Sequence, residues 1–205
     1  MKALLIDDHA LFRDALGMLI GVRFPALQLL DAGSMAEGLA RLNEHPDLQL
    51  VLLDLNLPDT QGTSAIGLVR DHAPAVRVVV LSADDRPETV ETAIELGACG
   101  FVPKTARGDT LAHALQITLD GGVYLPPAGL PPPAASITPE SLGLSPRQSD
   151  VLRLLINGHP NKLICRELDL SESTVKTHLA AVFRRLDVNS RTQAVVAAAR
   201  LGLRF

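Results

Sequence analysis

The most constraining feature of the sequence is a short apolar run that stops at a carboxylate. The residues from Leu50 to Leu53 are all aliphatic, Asp54 follows directly, and a Leu57-Pro58 break comes soon after. A continuous apolar run of this length between turn signals is typical of a strand buried on both faces, as in a parallel sheet. Because open α/β sheets place their sites at the carboxyl ends of the strands, Asp54 is a candidate functional residue.

The same pattern, an apolar run followed by a segment of helical spacing, recurs through residues 1–122. Strands are predicted at 3–6, 27–30, 50–54, 76–81 and 100–102, and helices at 10–20, 35–43, 62–72, 87–96 and 109–119. Five such units in alternation predict an α/β doubly wound, flavodoxin-like fold with a five-stranded parallel sheet.

Polar residues stand where these strands end. Asp7 and Asp8 follow the first strand, Ser82 follows the fourth, and Lys104 follows the fifth, so that all can meet Asp54 at one edge of the sheet. Clustered carboxylates raise one another's pKa unless a cation is present, and hard oxygen ligands suit Mg²⁺. The set predicts a site that places a phosphoryl group on Asp54. Three further carboxylates are interpreted as exposed loop residues: Asp59, Asp84 and Asp85.

The distribution of charge divides the chain into two parts. Residues 1–124 contain 17 acidic and 9 basic residues, whereas residues 125–205 contain 6 acidic and 10 basic residues. Residues 125–140 hold six of the 14 prolines and are expected to form an extended linker. An acidic part joined to a basic part predicts two domains, and the basic one is a candidate for binding nucleic acid.

These features predict a first domain over residues 1–122, a proline-rich linker over 123–141 and a second domain over 142–205. No apolar stretch approaches the roughly 20 residues that a membrane helix needs. The two cysteines lie far apart in apolar patterns, which favours buried free thiols. A cytoplasmic protein without a membrane partner is therefore expected.

The second domain is predicted to consist of four short helices. Ser145 and Pro146 begin the first, residues 161–168 form the second, Ser171 caps the third, and the fourth begins at Arg191. Short connections, with a tight turn between the middle two, are typical of a small all-α helix-turn-helix domain.

The third of these helices has two different faces. Its apolar residues, which are expected to pack inward, are Val175, Leu179, Val182 and Leu186. The opposite face carries small, hydrogen-bonding and cationic side chains that could enter a major groove. These side chains are Ser173, Lys176, Thr177, Ala180 and Arg184. An ordinary solvated surface would have the same pattern, so the helix alone leaves both interpretations open.

Two sets of motifs together indicate a family. In the first domain they are Asp7-Asp8, residues 54–62, Ser82-Ala83 and residues 101–104; in the second they are residues 144–148, 161–164, 170–178 and 189–194. The first set resembles the receiver domain of two-component response regulators, and the second resembles the LuxR-type helix-turn-helix. In combination the chain resembles the NarL/FixJ subfamily over nearly its whole length apart from the linker.

The receiver resemblance implies roles for the residues at the sheet edge. It implies that Asp54 accepts phosphate from a sensor histidine kinase and that Lys104 contacts the phosphoryl group. The implied Mg²⁺ ligands are Asp8, Asp54 and the backbone carbonyl of Asn56, with Asp7 acting through water. Ser82 and Phe101 would form a switch pair, in which Ser82 turns toward the phosphoryl group and Phe101 packs into the space that it leaves.

The helix-turn-helix resemblance implies a protein that binds promoter half-sites as a dimer, with RNA polymerase as a candidate partner. The implied DNA contacts are Lys176 and Thr177 in the recognition helix and Lys162, Thr174 and Arg191 at the phosphates. Ala180 stands where the family often has a basic residue, which leaves the target sequence open. The last helix, with Val195 and Val196, is expected to serve as a dimer surface, as domain core, or as both.

Two other functions would use similar features. A regulator whose receiver never needs phosphate usually lacks an acidic or switch residue, and this chain lacks none of them. A phosphatase with an aspartate nucleophile would need a general acid/base two residues beyond Asp54, where Asn56 cannot serve. The sequence therefore predicts a phosphorylation-controlled, dimerising transcription factor and not an enzyme.

Overall fold

The structure is a computed structural model that describes residues 1–126 and 137–203. Five strands and five helices alternate in its first part. They are β1 (Lys2–Ile6), α1 (Ala10–Arg23), β2 (Gln28–Ala32), α2 (Met35–Glu44), β3 (Leu48–Asp54), α3 (Ser64–His72), β4 (Arg77–Ser82), α4 (Pro87–Glu95), β5 (Gly100–Pro103) and α5 (Gly108–Leu119). The predicted boundaries lie within about three residues of these, because helix caps and turn residues mark most of the ends.

The strands form one parallel sheet in the order β2-β1-β3-β4-β5, which confirms the predicted doubly wound fold. Asp54 of β3 lies beside Leu81 of β4, and Ser82 lies beside Pro103 of β5. The carboxyl ends of the strands that carry the predicted site residues therefore lie at one edge of the sheet.

Helices cover both faces of this sheet. In β3, Val51 and Leu53 face a core that is completed by α2, α3 and α4, while Leu50 and Leu52 face a second core formed with α1 and α5. All four side chains are completely buried. This double burial is the physical reason for the continuous apolar run, since successive strand residues point to opposite faces of the sheet.

Residues 137–203 form the predicted all-α domain. After a 3-10 turn at Pro139–Leu142 come α6 (Pro146–Ile156), α7 (Asn161–Leu168), α8 (Glu172–Leu186) and α9 (Arg191–Arg200). Ser145, Ser171 and Ser190 cap α6, α8 and α9 by accepting hydrogen bonds from backbone amides. Asp169 and Asp187 end α7 and α8 in the left-handed region, which makes the turns tight. No helix in the described part of the chain has both the length and the apolarity needed to cross a membrane.

The segment that follows α5 packs on both domains. Tyr124 forms a parallel bridge with Gly100 of β5, Val123 is buried in the core of the second domain, and Leu125 contacts the cores of both domains. Residues 127–136, where most of the predicted extended linker falls, lie outside the described residues. The linker conformation therefore stays a prediction.

Candidate functional site

The carboxyl edge of the sheet brings the predicted phosphoacceptor residues together. Asp7, Asp54 and Ser82 are completely buried, whereas Asp8 is open to solvent. One side-chain ligand atom from each of Asp7, Asp8, His9 and Asp54 lies within 4.8 Å of the others. These carboxylates concentrate negative charge at the end of an apolar core. Solvent can reach the cluster from the side where Asp8 lies.

Lys104 neutralises part of this charge. Its Nζ atom lies 2.7 Å from Asp54 Oδ2 and 2.7 Å from Asp7 Oδ2, and it stands 4.9 Å from the centroid of the Phe12 ring. Burial lowers the pKa of Lys104, but its interactions with Asp54 and Asp7 outweigh burial and raise the pKa above the ordinary lysine value. Its backbone amide donates a hydrogen bond to the Ser82 carbonyl at 2.8 Å. The pairing of β4 and β5 therefore positions the Lys104 ammonium at the site.

The donor set at this edge fits a hard divalent cation. Asp7 Oδ2 is buried, and the Lys104 ammonium at 2.7 Å is the group that neutralises it. Asp54 Oδ1 accepts a hydrogen bond from the Asn56 amide at 3.1 Å, and Asp8 Oδ1 lies 2.7 Å from His9 Nδ1. Buried carboxylate oxygens with an unused lone pair, beside an opening to water, are suited to Mg²⁺, which retains several of its waters.

Ser82 and Phe101 lie at the fourth and fifth strands, as predicted. Ser82 Oγ accepts a hydrogen bond from the Asp84 amide at 3.1 Å. Phe101 is completely buried in the same core as Val90 and Ile94 of α4. The ring is therefore inside the core in this structure, and its predicted movement on phosphorylation stays a prediction.

Asp84, interpreted from the sequence as an exposed loop residue, anchors the start of α4. Its carboxylate is held by the Arg86 guanidinium at 2.8 and 2.7 Å and by the Thr89 hydroxyl at 2.9 Å. The hydrogen bonds from Arg86, followed by that from Thr89, hold the pKa of Asp84 well below its usual range. Since the Asp84 amide also binds Ser82, the predicted switch residue is connected to α4 through a single residue.

Asp59 also has a structural role that the sequence analysis missed. Its carboxylate accepts hydrogen bonds from the backbone amides of Met35 at 3.0 Å and Ala36 at 2.9 Å, at the start of α2. Both bonds, Ala36 first, lower the pKa of Asp59 below its usual value. No local pattern could reveal this cap, because its partners lie on another element more than twenty residues earlier in the chain.

Replacing Asp59 by alanine is expected to lower the free energy of unfolding by about 1 kcal/mol, the usual contribution of a helix cap. Because the folded-state pKa is lowered, this contribution is complete above the unfolded-state pKa and is lost as the pH falls through the folded-state value. Urea denaturation at neutral and acidic pH measures it, with Asp71→Ala on the exposed surface of α3 as the control. Equal stability of the two variants at neutral pH would contradict the capping role.

The two faces of α8 have the predicted orientations. Val175 and Val182 are completely buried. The side chains of the predicted DNA-binding face are all exposed: Ser173, Lys176, Thr177, Ala180 and Arg184. The Lys176 ammonium lies 2.8 Å from a Glu172 carboxylate oxygen, and this pairing raises the pKa of Lys176. The contact of Lys176 with DNA stays a prediction.

The other proposed phosphate contacts differ in their accessibility. Lys162 is exposed and Thr174 is half-buried, with its hydroxyl 2.8 Å from Ser171 Oγ. The Arg191 guanidinium donates to the His159 carbonyl and, at 3.1 Å, to Asn161 Oδ1, and burial lowers the pKa of Arg191 to about 10. Arg191 thus joins α9 to the start of α7, and its contact with phosphate stays a prediction.

The two domains meet through α4 and α9. Arg200 of α9 forms an ion pair with Glu91 of α4 and lies 4.0 Å from a Glu95 oxygen. Val196 packs into the core of the first domain, whereas Val195 packs into the core of its own domain. One face of the last helix, predicted as dimer surface or core, is therefore covered by the first domain in this structure.

A second contact lies at the end of α5. The backbones of Gly122 and Gly158 approach so closely that a Cβ atom on Gly122 would overlap the Gly158 carbonyl oxygen. Beside it is a groove of about 750 Å³ between the domains, lined on one side by Leu119 and Asp120 and on the other by residues that include Lys162 and Arg191. Two candidate DNA contacts therefore face the first domain.

Known families and proteins match both domains. Residues 3–116 match the family of the response regulator receiver domain, and residues 142–198 match that of bacterial regulatory proteins, luxR family. The glycerol metabolism activator of Pseudomonas putida is 36% identical over 208 residues, which cover 96% of this chain and 94% of that protein. The nitrate/nitrite response regulator protein NarL of Escherichia coli K12 is 36% identical over 200 residues, covering 94% and 92%.

A solved structure has the same fold. The LuxR family DNA-binding response regulator from Silicibacter pomeroyi aligns with a TM-score of 0.56 at 28% identity, over 62% of this chain and 98% of that one. The receiver match contains the sheet edge with Asp54 and Lys104, and the luxR match contains α6, α7, α8 and most of α9. The chain therefore belongs to the LuxR-family two-component response regulators, DNA-binding proteins that regulate transcription.

Proposed function

We propose that this response regulator accepts a phosphoryl group on Asp54 from a sensor histidine kinase in an Mg²⁺-dependent reaction, and that phosphorylation releases the DNA-binding domain and promotes dimerisation. The observation that carries the proposal is the placement of Asp54 and Asp7, both completely buried, around one lysine ammonium at 2.7 Å. An ordinary surface salt bridge would not bury two carboxylates around one cation.

The chemistry follows from these side chains. The Asp54 carboxylate attacks phosphorus, so that a P–O bond forms while the P–N bond to the kinase histidine breaks. Lys104, held as a cation, can move its ammonium from Asp54 to a phosphoryl oxygen. Asp7, Asp8, Asp54 and the Asn56 backbone carbonyl would hold Mg²⁺. The ion, when bound, neutralises charge on the phosphoryl oxygens.

The path from Asp54 to the second domain runs through α4. If the Ser82 hydroxyl turns to the phosphoryl group, the Asp84 amide loses its acceptor at 3.1 Å. The Asp84 carboxylate is hydrogen-bonded to the first turn of α4, and α4 in turn forms an ion pair with Arg200 of α9. A change at Ser82 therefore biases the contact between the domains, which behaves as a two-state element.

Release of the second domain would open the groove beside two of its predicted DNA contacts. Lys162 and Arg191 line the groove that faces α5, so the docked arrangement hinders their approach to a DNA backbone. The exposed face of α8, with Ser173, Thr177 and Arg184, would then enter the major groove of promoter half-sites. RNA polymerase is a candidate partner at the promoter.

The test is intact mass and sedimentation of the full chain after incubation with acetyl phosphate and Mg²⁺. We expect a gain of one phosphoryl group and a shift to dimer, both absent from Asp54→Asn and both retained by the control Asp71→Asn. Absence of any mass gain in the wild-type protein would contradict the proposal and would favour a regulator that works without phosphate.

A further inference from the structure

His9 adds an imidazole nitrogen to the carboxylates at the carboxyl edge of the sheet. Its Nδ1 atom lies 2.7 Å from Asp8 Oδ1 and 3.3 Å from Asp7 Oδ1. One donor atom from each of these three residues and from Asp54 lies within 4.8 Å of the others. The phosphoacceptor edge therefore combines carboxylate oxygens with a type of ligand that Mg²⁺ does not favour.

We propose that His9 is a ligand of the cation at this edge, and that its nitrogen shifts the preference of the site from Mg²⁺ toward a first-row transition-metal ion. The inference rests on the phosphoacceptor site of the proposed function and names the class of cation that the site in this chain takes. Such an ion, when bound, neutralises the carboxylates as Mg²⁺ does but is held more tightly.

The side chain of His9 is not engaged in capping the helix that it precedes. His9 is the N-cap residue of α1, yet among the described residues its side chain accepts no hydrogen bond from the amides of that helix. Its backbone takes this part instead: the carbonyl accepts from the amides of Phe12 and Arg13, and the amide donates to Asp7 Oδ1 at 2.9 Å. The imidazole is thus directed toward the carboxylates and not toward the helix, as a ligand would be.

The spacing of the donor atoms matches the coordination shell of a small divalent ion. With metal–ligand distances of about 2.1 Å, neighbouring ligands of an octahedral ion stand about 3 Å apart and opposite ligands about 4.2 Å apart. The separations of 2.7 and 3.3 Å around His9 Nδ1 fall on either side of the first value. The limit of 4.8 Å for all four residues slightly exceeds the second. Small side-chain adjustments would therefore bring the four donor atoms onto one ion.

A nitrogen ligand changes which cation binds best. Mg²⁺ is a hard ion that takes oxygen ligands and retains several of its waters. Imidazole suits transition-metal ions, and the affinity of a site with nitrogen and oxygen ligands rises from Mn²⁺ through Fe²⁺ and Co²⁺ to Ni²⁺ and Cu²⁺. His9 therefore adds affinity for these ions and adds little for Mg²⁺.

The imidazole stands on the solvent side of the site. It is 65% exposed, whereas Asp7 and Asp54 are completely buried, so an ion can enter beside it and be closed in by it. A simple hydrogen bond between the imidazole and Asp8 would explain the distance of 2.7 Å without any metal. The two interpretations differ in a property that can be measured, because a ligand forms a bond to the ion and a hydrogen-bonded neighbour does not.

The first test compares the affinities of the full-length protein for Co²⁺ and for Mg²⁺ by titration calorimetry. The variants are His9→Gln and the matched control His113→Gln, which removes an exposed histidine on α5. We expect the ratio of the Co²⁺ affinity to the Mg²⁺ affinity to fall at least about tenfold in His9→Gln, a shift of ~1.4 kcal/mol. The ratio is expected to stay at the wild-type value in His113→Gln.

The second test detects the bond itself by proton NMR of the Co²⁺-bound protein. We expect a paramagnetically shifted imidazole N–H resonance in the wild type and in His113→Gln, and its absence from His9→Gln. The resonance is expected to persist when Mg²⁺ is added in about tenfold excess, since the site prefers the transition-metal ion. Asp8→Asn, which removes the carboxylate nearest to the imidazole, is expected to abolish it and so to place the ion at the phosphoacceptor edge.

The outcomes separate this inference from the proposed function. If the wild type gains mass with acetyl phosphate and Mg²⁺ but His9→Gln keeps both the wild-type ratio of affinities and the shifted resonance, His9 is not a ligand and the phosphoacceptor proposal is unaffected. A shifted resonance that survives Asp8→Asn places the ion elsewhere on the chain and also overturns the inference. If neither ion binds the wild-type protein, the Mg²⁺ dependence of the proposed function fails, and this inference fails with it.

Discussion

Replacing Lys104 by methionine is expected to reduce phosphorylation of Asp54 by about 100-fold, as loss of a preorganised charge-stabilising group does elsewhere. It is also expected to lower the free energy of unfolding by about 3 kcal/mol when Mg²⁺ is absent, because two buried carboxylates lose their shared cation. Asp7 and Asp54 are completely buried and each lies 2.7 Å from the ammonium. Methionine keeps much of the length of the side chain but removes its charge.

Urea denaturation with and without Mg²⁺ measures the effect on stability, and mass spectrometry after acetyl phosphate treatment measures the effect on chemistry. Mg²⁺ is expected to restore part of the lost stability, since it again neutralises the carboxylates. Asp54→Asn is the informative second change, because it removes one of the two charges and should recover stability in the Lys104→Met background. If Lys104→Met without Mg²⁺ is as stable as the wild type, the ion pairs do not hold the site together.

Replacing Gly122 by alanine is expected to separate the two domains and to raise the DNA affinity of the unphosphorylated protein by at least about tenfold, which corresponds to ~1.4 kcal/mol. A Cβ atom at Gly122 would overlap the carbonyl oxygen of Gly158, which is backbone and belongs to the other domain, and would also crowd the Cγ2 atom and carbonyl oxygen of Ile117. The strain is greatest when the domains are docked, so the equilibrium shifts toward separation.

Binding to a DNA duplex selected from a random pool by the phosphorylated wild-type protein gives the affinity, and small-angle scattering gives the separation. Gly67→Ala on α3, where an added Cβ meets nothing within 4 Å, is the matched control. Arg200→Glu, which turns the ion pair with Glu91 into a repulsion, is expected to act in the same direction. Unchanged affinity in both variants would show that docking does not restrain DNA binding.

Much of the fold could be predicted because its signals are local. Pro87 begins α4, and Ser145 and Ser171 cap the helices that the sequence assigned to them. The positions of Asp54 and Lys104 followed from strand ends, since the carboxyl ends of parallel strands share one edge. Local caps and strand periodicity therefore determine both the order of the elements and the phosphoacceptor edge.

The parts that could not be predicted depend on residues far apart in the sequence. Asp59 caps α2, which precedes it by more than twenty residues. Val196 packs into the core of the first domain, whereas its neighbour Val195 packs into the core of the second. Arg191 has the charge expected of a phosphate contact, yet its guanidinium donates hydrogen bonds to Asn161 and to the His159 carbonyl. Charge and periodicity in the sequence cannot predict these contacts, because they describe a residue and not its partner in space.

The short segment after α5 has an energetic consequence for the switch. Tyr124 is paired with β5 of the receiver while Val123, its neighbour, is buried in the core of the DNA-binding domain. Wide separation of the domains must withdraw one of these residues from its site. Exposing a buried valine costs about 1.5–3 kcal/mol. If the valine is the residue withdrawn, phosphorylation, dimerisation and DNA binding as proposed would together have to offset a cost of this size, and the same cost would keep the domains docked before phosphorylation.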